Sequence, residues 1–286
     1  MTLKIKKESI LFILTGILCF SICLGIMHKP EVLALSDTSG FFPIIMYHHI
    51  TNDNSKIGEY TISVKQLKED FEFLKNKGYT TLSVRDLISI DKGEMELNEK
   101  SIMITFDDGQ ESFYKYAYPL LVEYNFKAVF SVIGKYTEDY SKINDHNVSY
   151  SHVTFNELKE MVSSGLVEIG NHSYDMHKNG KNDRQGVTKK AGESLLEYEN
   201  ALKKDTEKYN NIFLENLDFT PQIFTYPFGK VSKESEEIIK KLGFAAAFTC
   251  YERKTVPKAS DNWLYNLGRY NRSGKYSVNE FFKKVL

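Results

Sequence analysis

Cysteine is almost missing from this chain. There are three in 286 residues, and two of them, Cys19 and Cys23, fall in an apolar stretch near the start. Cys250 is then the sole cysteine of the globular part, which excludes an internal disulfide there and any cysteine-based zinc site. The low count does not argue against export. An excess of either charge is also lacking: 37 Lys and Arg stand against 38 Asp and Glu, intermixed instead of blocked. Nothing here draws a polyanion, so nucleic acid is not an expected partner. Tryptophan occurs once, at Trp263. What is present is 42% hydrophobic and 13% aromatic content, enough for one full-sized core. We expect a single domain over residues 35–286 behind an N-terminal appendage over 1–34.

In that appendage Lys4, Lys6 and Lys7 precede an apolar run from Ile10 to Met27. The run reaches the ~18 residues at which a membrane-spanning helix becomes plausible, and exceeds a signal-peptide core of roughly 7–15. Val32-Leu33-Ala34 nevertheless supplies small residues suited to cleavage. Signal peptide and uncleaved anchor are the two readings, with the membrane a partner through residues 10–27 in the second. Either one puts the domain outside the cytoplasm.

From Phe42 onward strand and helix signals alternate. Ser63 with Gln66 opens a helix to Lys77, Ser83 caps a short one, and Thr154 with Glu157 opens another. Further helices are expected over 112–124, 188–209 and up to Leu242, and strands over 43–47, 79–82, 101–106, 128–133, 166–170, 222–226, 244–249 and 267–270. Loops are expected over 137–149 and 178–187. Lys77-Gly78-Tyr79, Asn125-Phe126, Ser164-Gly165-Leu166 and Leu242-Gly243-Phe244 each end a helix on a residue that tolerates left-handed backbone and start a strand at once. Such tight returns imply a parallel sheet, and the strand number suits an α/β barrel better than an open sheet.

The chemistry collects at strand ends. Ser101 to Phe106 is an apolar run that stops at Asp107-Asp108-Gly109, and Leu166 to Gly170 leads to His172-Ser173-Tyr174-Asp175-Met176-His177. Two strands thus deliver ligand-type residues to one end of the sheet, where catalytic groups gather. His172 and His177 are five apart. On a helix they would diverge by about 140° at ~100° per residue, and on a straight strand they would face opposite ways. They share a metal only if the segment between them is a curved loop. Two imidazoles and one carboxylate make three ligands with room for water, the composition of a catalytic zinc site, and leave the second aspartate as general base.

Thr105-Phe106-Asp107-Asp108-Gly109 and the run His172 to His177 resemble the first two signature motifs of the polysaccharide deacetylases, the NodB-homology carbohydrate esterases. The stretch from Val153 to His177 resembles that family throughout, and the similarity spans most of residues 42–270. The resemblance implies a distorted (β/α) barrel of about seven parallel strands. It also implies Asp107 as catalytic base, and Asp108, His172 and His177 as ligands of a divalent metal, zinc by default, with cobalt or nickel fitting the same donors. The spacing of five resembles the branch that includes the poly-N-acetylglucosamine deacetylases. Thr225, in Thr225-Tyr226-Pro227-Phe228-Gly229, stands where the family carries an Arg that orients the base, so Arg269 becomes a candidate for that task.

Residues 44–50, I-I-M-Y-H-H-I, resemble the opening strand of the permuted branch, which makes His48 the candidate general acid and turns His49 the other way. The backbone N–H of Phe228 matches the position that helps hold the oxyanion. Trp263, either core or a sugar-stacking wall, and Tyr226 are candidates for substrate contact. The implied activity is N-deacetylation of an extracellular or cell-wall polysaccharide: poly-N-acetylglucosamine, peptidoglycan or chitin-like chains. An O-acetyl esterase and a non-catalytic carbohydrate-binding homologue are the alternatives.

Overall fold

Ten short strands carry the architecture: β1 (Ile44–Tyr47), β2 (His49–Thr51), β3 (Thr61–Ser63), β4 (Thr80–Thr81), β5 (Ser101–Phe106), β6 (Ala128–Val132), β7 (Val167–Asn171), β8 (Ile223–Thr225), β9 (Ala246–Phe248) and β10 (Tyr270–Asn271). They come from a computed structural model that describes residues 40–180 and 184–286. The expected leader or anchor at 1–34, including the apolar run 10–27, lies outside the described residues. Among the described residues no helix is long and apolar enough to cross a membrane.

Seven strands form one sheet in the order β10-β1-β5-β6-β7-β8-β9, every neighbour parallel, with β4 paired to the start of β5 and β2–β3 forming a separate parallel pair. Parallel strands are buried on both faces, and all six residues of β5 are buried, as its unbroken apolar run requires. The sheet curls back on itself. Leu267 bridges Phe248 in parallel, its N–H donating to Ala247 O (3.0 Å), and three residues later Tyr270 is in register with Ile45 of β1. One short segment thus leans on both ends of the sheet.

The helix starts at Ser63/Gln66, Ser83/Asp86 and Thr154/Glu157 form complete capping boxes, opening the helices Val64–Lys77, Val84–Lys92 and Phe155–Ser163. Gly78, Asn125, Gly165 and Gly243 all have left-handed φ. Three expectations need correction. The expected loop over 137–149 is half helical, Gly134–Ile143. The long helix runs Leu195–Leu217, set by a Ser194/Glu197 capping box and a left-handed Asp218 instead of the residues around 188 and 209. The segment after Ser112 begins with a π-helical turn, Phe113–Ala117, before the helix Tyr118–Tyr124.

Candidate active and metal site

Asp107 and Asp108 follow β5, His172 follows β7, Phe228 follows β8 and His48 follows β1. Because these strands are parallel, all five leave the sheet at the same end.

The turn after β5 is built tightly. Asp108 and Gly109 both have left-handed φ, 74° and 77°, and a Cβ on Gly109 would sit 2.9 Å from that of Val132 on β6. The loop from His172 to His177 is curved as its spacing demands. Ser173 takes φ 69°, Asn171 Oδ1 accepts from Ser173 N (2.8 Å), Ser173 Oγ accepts from Met176 N (3.0 Å), and Asp205 accepts from Tyr174 N and Asp175 N (2.7 and 3.0 Å). Both histidines are thereby turned to the same carboxylate. His172 Nε2 and His177 Nε2 each lie 3.5 Å from Asp108 Oδ1.

These three donors fit a divalent ion. A distance of 3.5 Å is long for a hydrogen bond but suits atoms sharing a ligand between them, and the three atoms lie within 4.8 Å of one another. His172 Nδ1–H donates to Thr225 O (2.8 Å), which leaves its Nε2 lone pair facing Asp108, the outer-shell arrangement typical of metal-ligating histidines. Burial, then His172, pushes the His177 imidazole down to about 4, so it stays neutral. Burial opposes ionisation of Asp108, but the hydrogen bond from His172 and the charges of the neighbouring imidazoles, when protonated, outweigh it and hold the carboxyl far below its usual range; a divalent cation would act in the same sense.

Asp107 points elsewhere. Arg269, wholly buried, grips it with two parallel bonds: Nη1 to Oδ1 and Nη2 to Oδ2, both 2.7 Å. The guanidinium also donates to Thr249 O (3.0 Å) and Thr105 Oγ1 (3.2 Å). Asp107 follows the last residue of β5 while Arg269 precedes the first of β10, so a long, forked side chain is needed to join them. Burial would raise the Asp107 carboxyl; Arg269 outweighs it and keeps it below its ordinary value.

His48 and His49 face opposite ways. His49 Nδ1 meets Gln110 Oε1 and Ser112 Oγ (3.2 Å), while His48 packs edge-on against Tyr60 (5.0 Å) and feels the charges of Asp108, Asp107 and Arg269. Burial lowers the His48 imidazole and the two carboxylates oppose that fall. The Phe228 ring lies 4.5 Å from that of His177, held by a turn with left-handed φ at Phe228 (58°) and Gly229 (67°).

Two expected substrate contacts are buried. Tyr226 is 0% exposed and belongs to a core cluster with Tyr198, Phe224 and Phe244. Trp263 is 7% exposed, packed with Leu264 and Leu267, its indole N–H donating to Asp91 (2.6 Å). Tyr226 is enclosed by apolar packing, whereas Trp263, packed likewise, still lines a surface cavity with Arg253 and Asn266. Conversely His152 borders the site unannounced. It pairs with Gln110 across an antiparallel bridge, senses Asp108 and His177, and is pushed down to about 4 by burial. Set between Ser151 and Val153 in a loop, it gives no signal in the sequence.

The family model described as polysaccharide deacetylase matches residues 94–247, more than half of the chain. The chain belongs to the polysaccharide deacetylase family. That match takes in Asp107, Asp108, His172, His177 and Phe228, and leaves His48 and Arg269 on either side of it. Among relatives, the chain is similar to the poly-beta-1,6-N-acetyl-D-glucosamine N-deacetylase of Escherichia coli K12, 25% identical over 269 residues, covering 86% of this chain and 38% of that protein. It is also similar to the enzyme of the same name from Staphylococcus aureus MRSA252, 27% identical over 214 residues, covering 74% of this chain and 69% of the relative. The chain thus spans well under half of the first relative. A solved de-N-acetylase from Aggregatibacter actinomycetemcomitans superposes with a TM-score of 0.73 at 25% identity, over 86% of this chain and all of that one.

Proposed function

We propose that this chain is a metal-dependent hydrolase that removes N-acetyl groups from poly-β-1,6-N-acetylglucosamine outside the cytoplasm. The observation that carries the reading is the division of labour between adjacent aspartates: Asp108 faces two imidazoles while Asp107 is clamped at both oxygens by Arg269. The substrate class follows the names of the two relatives, and the location follows the N-terminal reading.

A divalent ion held by Asp108, His172 and His177, zinc in the first instance and cobalt or nickel with the same donors, would polarise the acetamide carbonyl and acidify water beside it. Asp107, ionised and aimed by Arg269, takes the proton of the attacking water. The backbone N–H of Phe228 is the candidate donor to the carbonyl oxygen as it gains charge. His48 gives a proton to the departing amine, and acetate and a glucosamine unit leave. Arg269 supplies the buried guanidinium that Thr225 cannot, which weighs against the non-catalytic alternative.

The test is acetate release from poly-β-1,6-N-acetylglucosamine, chitin oligomers, peptidoglycan and an O-acetylated polymer, with zinc and with chelator. Release from the first that needs metal and falls by about 10²–10⁴-fold in Asp107→Asn is the expected result. Ester cleavage alone would transfer the assignment to the esterase, and no release from any polymer by metal-loaded protein would sink it.

A further inference from the structure

A second cluster of metal-type donors gathers where the turn after β5 leads into the next helix. Glu111 is 2% exposed, Glu157 is 7% exposed, and His146 comes down on both from the loop that follows the helix Gly134–Ile143. His146 Nδ1 lies 3.3 Å from Glu111 Oε1 and 2.9 Å from Glu157 Oε1. One atom from each of the three residues falls within 4.8 Å of the others.

Two features point to a missing cation. The second oxygen of Glu111, Oε2, is buried and has no hydrogen-bond partner among the described residues. Two carboxylates face each other in a confined space, each with an oxygen within reach of the one imidazole. One imidazole serves both carboxylates: His146 Nδ1 faces the two carboxylate oxygens and its Nε2 sits 3.1 Å from Asn144 Oδ1, so a cation bound at Nδ1 would take the place of the proton that bridges these atoms without it. Glu157 is meanwhile committed at its other oxygen, where Oε2 accepts from Thr154 N and Oγ1 (2.7 and 2.8 Å). That bond fixes the direction of Oε1, as an outer-shell contact does for a metal ligand.

We propose that Glu111, His146 and Glu157 bind a divalent cation at a site separate from Asp108, His172 and His177. Two carboxylates with one imidazole suit zinc or manganese, and solvent completes the shell on the open side, where His146 is exposed. The ion would tie the 144–151 loop to the base of the Asp107–Asp108 turn, adding to the bond from Glu111 N to Ser151 O (2.9 Å). It would thereby fix His152, which follows that loop beside the candidate active site.

The test is equilibrium dialysis of the full chain against Zn²⁺, and separately Mn²⁺, with bound metal counted per chain by atomic emission. Two zinc ions per chain are expected in the parent, one in His146→Ala, one in Glu111→Gln, and one in Asp108→Asn. His146→Ala removes an exposed ring and keeps the fold measurable if the buried Glu111 variant does not fold. With saturating metal, one ion in the parent that is lost in Asp108→Asn overturns the second site while leaving the first intact. Two ions that persist in both His146→Ala and Glu111→Gln overturn it as well. In either case the orphan Glu111 oxygen carries a proton shared with Glu157, not a metal.

Discussion

Arg269 and Asp107 share two parallel hydrogen bonds with neither side chain open to solvent, and in the proposed mechanism this fork is what would make Asp107 a directed base and not merely a buried carboxylate. A lysine would keep the charge and lose the fork. Arg269→Lys is expected to lower kcat by about 10²-fold with little change in KM, the order of loss that accompanies a misplaced catalytic group. The pH profile separates positioning from structure. Arg269 holds Asp107 below its ordinary value against burial, so weakening the pair lets burial prevail and the pKa rise. If Asp107 is the base, as proposed, it accepts a proton only when ionised, so the acid limb of kcat/KM should move to higher pH, with the alkaline limb unmoved. A variant with normal kcat and an unchanged acid limb would reduce Arg269 to a packing residue. This partner was legible only as a candidate, because 162 residues separate the pair and nothing local marks it. Asp107, Asp108, His172 and His177 were legible because each pair sits in one short run after an apolar strand. The Glu111–His146 contact spans 35 residues between a helix start and an irregular loop, and no periodicity points to it.

Side-chain caps located some helix starts but not all: the Ser194/Glu197 box was passed over for a start near 188. The boxes at Ser63, Ser83 and Thr154 announce their helices, whereas Gly134–Ile143 starts from Ile133 with no side-chain cap. The short turn Pro227–Gly229 is a case where local backbone matters more than the element it belongs to. A Cβ on Gly229 would lie 2.4 Å from Cys250 Cβ and 2.6 Å from its N, at φ 67°, so the turn must move, and with it the Phe228 ring on His177. Gly229→Ala is expected to cost about 1–3 kcal/mol in urea unfolding and to lower deacetylation at least tenfold. Gly165→Ala is the matched control: φ is also left-handed, at 73°, but nothing lies within 4 Å of the added Cβ. It should cost about 1–2 kcal/mol of backbone strain and leave activity alone. Equal activity in the two variants would mean that the Phe228 turn does not position the site.

At the scale of the molecule, the two ends of the sheet meet on one segment, and two buried arginines flank β10 there. Arg269 enters the site; Arg272 turns to Asp70 on the helix Val64–Lys77, Nε to Oδ2 at 2.8 Å and Nη2 to Oδ1 at 3.1 Å, while Tyr47 of β1 donates to the same carboxylate (3.1 Å). Arg272 N also donates to Met46 O (2.9 Å), so helix, first strand and closing segment share one buried charge pair. Both side chains are 0% exposed, and an ion pair that far from water stabilises little by itself, yet removing one partner strands the other charge. Asp70→Asn is therefore expected to destabilise the domain by about 3–5 kcal/mol, seen as a lower urea midpoint with an unchanged slope. Asp70→Asn combined with Arg272→Met should recover much of that loss, because no buried charge is left uncompensated. A single variant within about 1 kcal/mol of the parent would show that Arg272 finds water or another acceptor when Asp70 is gone. The shape of the curve carries a second result. If the closing segment is integral to the sheet, fluorescence and deacetylase activity should be lost in one transition. An earlier loss of activity would mean that the seam opens first, carrying Arg269 away from Asp107 while the remaining strands hold.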